Sequence, residues 1–458
     1  MADAGGSGAG ARDIVRIVRD VEEARRLLTR RRGFAEPELS PRARETTRRV
    51  FGEDLTVDQV VDRILAEVRE QGDAAIRRYT EAFEGVIPHP IEVPRSSWED
   101  AYEALPPELA QALEIAAEQI ERFHRKQVRT SWIDWDDEGA LGQLVRPIDR
   151  IGIYVPGGLA AYPSSLLMTA VPARVAGVRE IVICAPPTGG AISPVVLAAA
   201  AVAGVDRVFQ VGGAQAIAAM AYGTETIPDV DKIYGPGNIF VVTAKRRVSG
   251  AVGIEFLPGP TETMVVADAA ADPRHVAADL LAQAEHDPMA SPILVTTSDL
   301  TADRVRKELA RQLPQLSREE IAATALRTNG LIAVVPDLET AMDLANGYAP
   351  EHLCLLVEQP WDVLPLVRNA GGIFVGENSP EAMADYTLGP SHVMPTGGSA
   401  RFASPIHVQD FTKVISVAAA NQRALNRVGP AAAIFARAEG LDGHALAIER
   451  RLEDTRPE

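Results

Sequence analysis

Cysteine is nearly absent from this chain, with two in 458 residues, and aromatic side chains make up only 5% of it. Two cysteines cannot form a disulfide framework. Cys184 and Cys354 both stand in apolar, strand-like runs, where they read as small core hydrophobes of a reduced compartment. Positive charge is also in deficit: 46 basic against 63 acidic residues give a net charge of −17. Nucleic acid and anionic membrane surfaces are therefore not expected partners. The longest apolar stretch, PVVLAAAAVAGV, falls well short of the ~20 residues that span a bilayer. The opening MADAGGSGAGAR has no apolar heart of an export signal, so a cytoplasmic location and a disordered stretch over residues 1–12 are expected. No G-x-G-x-x-G follows a strand, and there is no P-loop or zinc-protease helix motif, so the usual dinucleotide fingerprint is missing.

What remains is ordinary globular usage, 46% hydrophobic and 24% charged, over a length that suits two to four domains. A helix is predicted from 56, where Thr56 and Gln59 fit a capping box. Val57, Val60, Ile64 and Val68 make one face of it, and Gly72 ends it. A second helix, near 107–126, is expected to turn Leu109, Leu113, Ile120 and Phe123 inward. At about residue 150 the rhythm changes. RIGIYVPGG, EIVICAPP, RVFQVGG and KIYGPGN are short apolar runs ending in Gly or Pro, with helix-like segments between them. The pattern repeats in TMVVAD, PILVTTS, LIAVVPD, HLCLLV and GGIFVGEN. The fold class is therefore α/β, with two doubly wound parallel units back to back. The chain is expected to be helical from 405 onward, with a stop at Gly440 and a fresh start at Asp442. In such sheets ligands collect outside the carboxyl ends of the strands, and most of the glycines lie there. Tight turning alone would also select those glycines.

With eight histidines, each can be weighed. His89 reads as a loop residue, His124 as a solvated residue on an amphipathic helix, and His275 as exposed. His407 opens a segment that the pattern does not place. Gln283 and His286 in DLLAQAEHDP lie one turn apart on a helix, beside an apolar stripe. They fit either a metal site or a solvated helix end. Asp385 and His392 follow the strand-like GGIFVGEN, where a loop at a carboxyl end can be functional or merely capped. Glu439 and His444 flank a helix break. Glu351 and His352 stand together where the apolar run HLCLLV begins, as an acid/base couple at a sheet rim would.

These segments, in this order, resemble the histidinol dehydrogenase family. The likeness is carried by YVPGG, VGGAQAIAAMAYGTE, VDKIYGPGN, PGPTETMVVAD, DLLAQAEH, APEHL, SPEAMADY, SHVMPT and EGLDGHA. The resemblance implies two incomplete Rossmann-like units with a helical N-terminal segment and a helical C-terminal tail. Residues 1–40 would be an extension, 41–153 with 262–400 the catalytic unit, 154–261 an inserted NAD-binding unit, and 401–458 a dimer-contact tail. It also implies oxidation of L-histidinol to L-histidine with two NAD. One zinc per subunit would be bound by Gln283, His286, Asp385 and His444, and Glu351 and His352 would transfer protons. Thr261, His392 and Glu439, together with His352 and the zinc ligands, would face the substrate, and Tyr154, Gln215 and Asn238 the cofactor. A homodimer with shared sites is implied too. Ala384 stands where the family has glycine and Ser391 where it has asparagine, and residues 402–408 differ as well. A related dehydrogenase of another small alcohol, such as a sulfonated propanediol, is thus the alternative. A non-catalytic two-lobed binding protein is a third.

Overall fold

The computed structural model describes residues 14–29, 39–157, 162–256 and 259–453; the stretch 1–12 lies outside these. Two parallel sheets carry the chain. The first has five strands, in the order Arg207–Phe209, Glu180–Cys184, Arg150–Tyr154, Lys232–Tyr234, Gly253–Ile254. Counted along the chain this is 3-2-1-4-5, which places a topological switch between Arg150–Tyr154 and Lys232–Tyr234. The second has six strands. Its order is Arg16–Val18, Leu331–Val334, Ser291–Thr296, Glu262–Ala267, His352–Leu356, Gly372–Val375. Apart from the edge strand Arg16–Val18 the winding is the same, with the switch between Glu262–Ala267 and His352–Leu356. Both sheets are buried on two faces, so their strands read as unbroken apolar runs rather than alternating ones.

The helix Val57–Gln71 forms as predicted. The Thr56 hydroxyl accepts from Gln59 N–H, the Gln59 side chain accepts from Thr56 N–H, and Val57, Val60, Ile64 and Val68 are buried. That face packs against Tyr154, Phe209 and Ile217 of the five-stranded unit, although residues 41–153 were grouped above with the other sheet. Strand Arg150–Tyr154 is likewise the central strand of the five-stranded sheet.

Helix Pro107–His124 is rotated slightly from expectation. Its buried face is Leu113, Ala116, Ile120 and His124, while Leu109 and Phe123 are 37% exposed. His124 is fully buried, not solvated, and its Nδ1 donates to the Ile120 carbonyl at 2.8 Å. The spacing 113, 116, 120, 124 carries it inward despite the basic residues beside it. Cys184 and Cys354 are buried free thiols. No helix among the described residues is long and apolar enough to cross a membrane.

The chain beyond 405 is not all helical. Thr412–Ala420 is a strand, paired antiparallel with Gly139–Pro147 over nine positions; Trp132–Asp136 completes a three-stranded sheet. The alanines of TKVISVAAA suit a helix, but hydrogen bonds to the partner strand decide the conformation. Helices Gln422–Ala438 and Asp442–Glu453 follow, with the stop at Gly440 in left-handed backbone, φ 76°.

Candidate active site

The acid/base couple stands at the amino end of its strand. His352 is the first residue of His352–Leu356, directly beside Thr263 of the neighbouring strand. Both Glu351 and His352 are buried. The Nδ1 of His352 lies 3.0 Å from the Glu262 carbonyl, which can only accept, so Nδ1 holds the proton. Its Nε2 is therefore the basic atom. That atom is buried, has no hydrogen-bond partner among the described residues and lies 3.6 Å from Asp385 Oδ1, too far for a direct bond. Glu351 Oε2 accepts from the Glu262 backbone N–H at 3.0 Å and lies 2.8 Å from the Thr261 hydroxyl. Burial pushes the Glu351 carboxyl above its ordinary range, although His352, 3.6 Å away, pulls the other way. For His352, burial works against the charged form. The carboxylates of Glu351, Asp385 and Glu381 outweigh it and hold the imidazole above its ordinary range.

Helix Pro273–Ala284 runs back from the far end of the sheet and delivers Gln283 to this rim. Gln283 is buried, with Oε1 2.7 Å from the Thr261 hydroxyl, and His286 follows just beyond the helix, exposed. Asp385 ends the short helix Glu381–Ala384. Burial raises its carboxyl, but His352, His392 and His286 together hold it below the ordinary range. Gln283, His286 and Asp385 thus face one locale with His352. His392 donates from Nδ1 to the Asp385 carbonyl at 2.7 Å, which leaves Nε2 to accept from Ser165 Oγ at 3.1 Å. Burial lowers the His392 pKa, in keeping with a neutral ring. Ser165 belongs to helix Pro163–Ala176, which follows the carboxyl end of strand Arg150–Tyr154. The contact therefore joins the two units. The amino-end rim of the six-stranded sheet meets the carboxyl-end rim of the five-stranded sheet. Asp385, expected at a carboxyl end, folds back to the opposite one, because the segment 376–392 is tied to Ser165 and Met168.

Glu439 and His444 do not join this group. Both are exposed, in and beside the paired helices Gln422–Ala438 and Asp442–Glu453. Among the described residues no three His, Cys, Asp or Glu side chains close on a point that would hold a metal. The donor set Gln283, His286 and Asp385 supplies an amide, an imidazole and a carboxylate, all suitable for zinc, but it lacks a fourth protein ligand.

Sequence reasoning missed Glu381. It is fully buried, its Oε2 accepts from Thr263 Oγ1 at 2.6 Å, and its Oε1 has no partner among the described residues. Burial pushes it up to about 7, and Asp279, also buried, up to about 6.

At the five-stranded rim the groups are different. Tyr154 is buried and its hydroxyl accepts from Gly213 N–H at 3.2 Å, where helix Gly213–Tyr222 begins. Burial pushes the phenol up to about 12. Gln215 is 1% exposed, and neither atom of its amide has a partner among the described residues. Asn238 caps helix Ile239–Val248, its side-chain oxygen accepting from Phe240 N–H and Val241 N–H at 3.0 and 3.2 Å. Gly235 sits at the switch with φ 107°, and a Cβ there would lie 1.9 Å from the Tyr154 carbonyl oxygen. Its backbone is gripped from below. Lys245 Nζ donates to the Gly235 carbonyl at 3.1 Å and to Glu255 Oε1 at 2.6 Å, and Glu255 Oε1 accepts from Gly235 N–H at 2.9 Å. This ion pair is 1–2% exposed.

A family model described as histidinol dehydrogenase matches residues 47–452. The chain belongs to the histidinol dehydrogenase family. It is 53% identical over 434 residues to the histidinol dehydrogenase of Deinococcus radiodurans, covering 94% of this chain and 98% of that one. With that of Thermus thermophilus the identity is 52% over 405 residues, 88% of this chain and 97% of the relative. The crystal structure of histidinol dehydrogenase from Elizabethkingia anophelis superposes with a TM-score of 0.88 at 34% identity, covering 96% of this chain and 98% of the other. As a histidinol dehydrogenase family member the chain is an oxidoreductase, and its α/β fold is that of the solved relative.

Proposed function

We propose that the chain oxidises L-histidinol to L-histidine by way of the aldehyde, passing two hydrides to two NAD molecules, in a homodimer with shared active sites. The observation that carries this reading is the His352 ring, fixed through Nδ1 on a backbone carbonyl with a bare, buried Nε2. Nε2 takes the alcohol proton as hydride leaves the carbon. Glu351, buried beside it, takes a proton from the water that adds to the aldehyde, and His352 then deprotonates the hydrate. Enclosure of both groups keeps the reactive aldehyde from escaping between steps.

Gln283, His286 and Asp385 would hold zinc, with His444 of the partner subunit as the fourth ligand. Zinc bound there would orient the amine and imidazole nitrogens of histidinol and offset the Asp385 charge that now raises His352. Support for a shared site comes from the tail. His444 and Glu439 stand away from the cluster, and the surface around them is apolar: Ile434 is 71% and Phe435 72% exposed. The outlying sheet adds Trp135 and Leu141, 73% and 65% exposed, to the face a second copy would cover. His392 and Glu439 of the partner subunit would meet the polar end of the substrate.

The cofactor is assigned to the switch of the five-stranded sheet. The partnerless Gln215 amide, the Tyr154 hydroxyl and the Asn238 loop line it, and helix Gly213–Tyr222 offers its amino-terminal N–H groups to a diphosphate. These residues replace the missing glycine fingerprint.

The test is purified protein with zinc, NAD and L-histidinol. Close to two NADH per histidinol, lost with a chelator, supports the reading. No NADH from histidinol but turnover of a sulfonated propanediol overturns it. Mixing His352→Asn with His444→Ala subunits should restore part of the activity; complete lack of recovery argues against shared sites.

A further inference from the structure

The hydroxyl of Thr261 carries one proton, yet it stands 2.7 Å from Gln283 Oε1 and 2.8 Å from Glu351 Oε2. It cannot donate to both, so one neighbour must donate to it. Glu351 Oε2 is already an acceptor, for it takes the Glu262 backbone N–H at 3.0 Å, and it sits beside an imidazole that its charge favours. Gln283 is the freer choice. A half-turn of its amide exchanges nitrogen and oxygen at almost no cost in shape, and the two look alike in size. Among the described residues the second amide atom of Gln283 has no hydrogen-bond partner, so nothing opposes the exchange.

We propose that Thr261 is the positioning residue that fixes the Gln283 amide, accepting from its Nε2–H and passing the hydroxyl proton to Glu351, so that the Gln283 carbonyl oxygen faces the open side of the site. The consequence is a directed chain: amide to hydroxyl to carboxylate. It turns the one atom of glutamine that can ligate a divalent cation toward His286 and Asp385, and it ties that orientation to the group that handles water. One lone pair of Thr261 stays available to a substrate donor. Serine would serve equally, since only the hydroxyl is used; valine, with the same shape, would not.

The inference rests on Gln283 being a zinc ligand, and the experiment separates the two. Zinc affinity is measured on the purified, full-length protein by competition with a coloured chelator, without substrate or turnover. Thr261→Val should bind zinc about 10–100-fold more weakly than the unaltered protein, the cost usual for losing a partner that orients a ligand. Thr261→Ser should restore the affinity. The visible spectrum of the cobalt-loaded protein should change in Thr261→Val and return in Thr261→Ser, a response that loose packing alone would not produce. If Thr261→Val binds within twofold of the unaltered protein while Gln283→Ala loses affinity, the positioning role is overturned and the metal site stands. If Gln283→Ala also binds as the unaltered protein does, the ligand assignment itself falls.

Discussion

At the six-stranded sheet the groups gathered around the switch are side chains: Glu351, His352, Gln283, Asp385 and, behind them, Glu381. At the five-stranded sheet they are mostly backbone, the Gly213 amide and the Gly235 peptide, with Tyr154 and Gln215 between. Both sheets use the same winding, 3-2-1-4-5, apart from the edge strand Arg16–Val18, yet one turns its amino ends and the other its carboxyl ends toward the contact of His392 with Ser165. The difference follows from what each edge offers. Carboxyl ends lead into helices whose amino termini point outward and suit anionic ligands. Amino ends lack that field, so charge there must come from side chains, and side chains are what proton transfer needs. Under the proposed function, the repeated fold divides into a rim that changes bonds and a rim that holds a carrier.

That division can be broken at several points. The largest effect is expected from His352→Asn, which should lower kcat by about 10²–10⁴-fold while NAD binding, followed by titration calorimetry, stays put. Loss of NAD affinity in that variant would mean the rims are not separate. Next comes Lys245→Met, which strands the buried Glu255 carboxylate and should destabilise the protein by about 3–5 kcal/mol in urea unfolding. The double variant Lys245→Met/Glu255→Leu should recover much of it, because the charge is then gone as well. Gln215→Leu sharpens the contrast from the other side. Removing a buried amide with no partner should leave the unliganded protein about 1 kcal/mol more stable, while the KM for NAD rises and kcat changes little. The smallest change is Asn238→Asp. An aspartate caps the helix as well as asparagine, so stability should hold, but added negative charge should weaken NAD binding. If stability fell as well, the cap would depend on more than its oxygen.

Much of this was legible in the residues. The capping box at Thr56 and the Gly- and Pro-terminated strands are local signals, and that local geometry came out as read, whereas the helix expected to carry both Gln283 and His286 ends at Ala284 and leaves His286 beyond it. The sheet of Trp132–Asp136, Gly139–Pro147 and Thr412–Ala420 was not. Thr412–Ala420 lies some 270 residues along the chain from its partner Gly139–Pro147, a long-range pairing that no local period reports, and the neighbouring hairpin strand Trp132–Asp136 is exposed throughout and so carries no buried-face alternation. Helix Glu319–Thr328 was missed for a different reason, since EEIAATALRT carries its apolar face on small alanines. In the site, the Glu351–His352 couple showed itself because two polar residues stand together at the threshold of an apolar run. Glu381 and Asp279 stayed hidden because a lone carboxylate in a helix looks like any solvated one. Which edge of the sheet carries the site depended on where segment 376–392 folds, and only the contacts of His392 and Ser391 reveal that.

The grip of Lys245 and Glu255 on Gly235 makes the GPGN turn a part that cannot be exchanged alone. A chimera that imports a foreign turn to change which carrier is accepted would leave an ammonium and a carboxylate facing a peptide of the wrong shape, sealed from solvent. Such a graft should succeed only when both charged residues travel with the turn. With the carrier placed at this turn as proposed, a change of turn in this chain would have to come as a linked set of changes spread over some twenty residues, from Gly235 to Glu255.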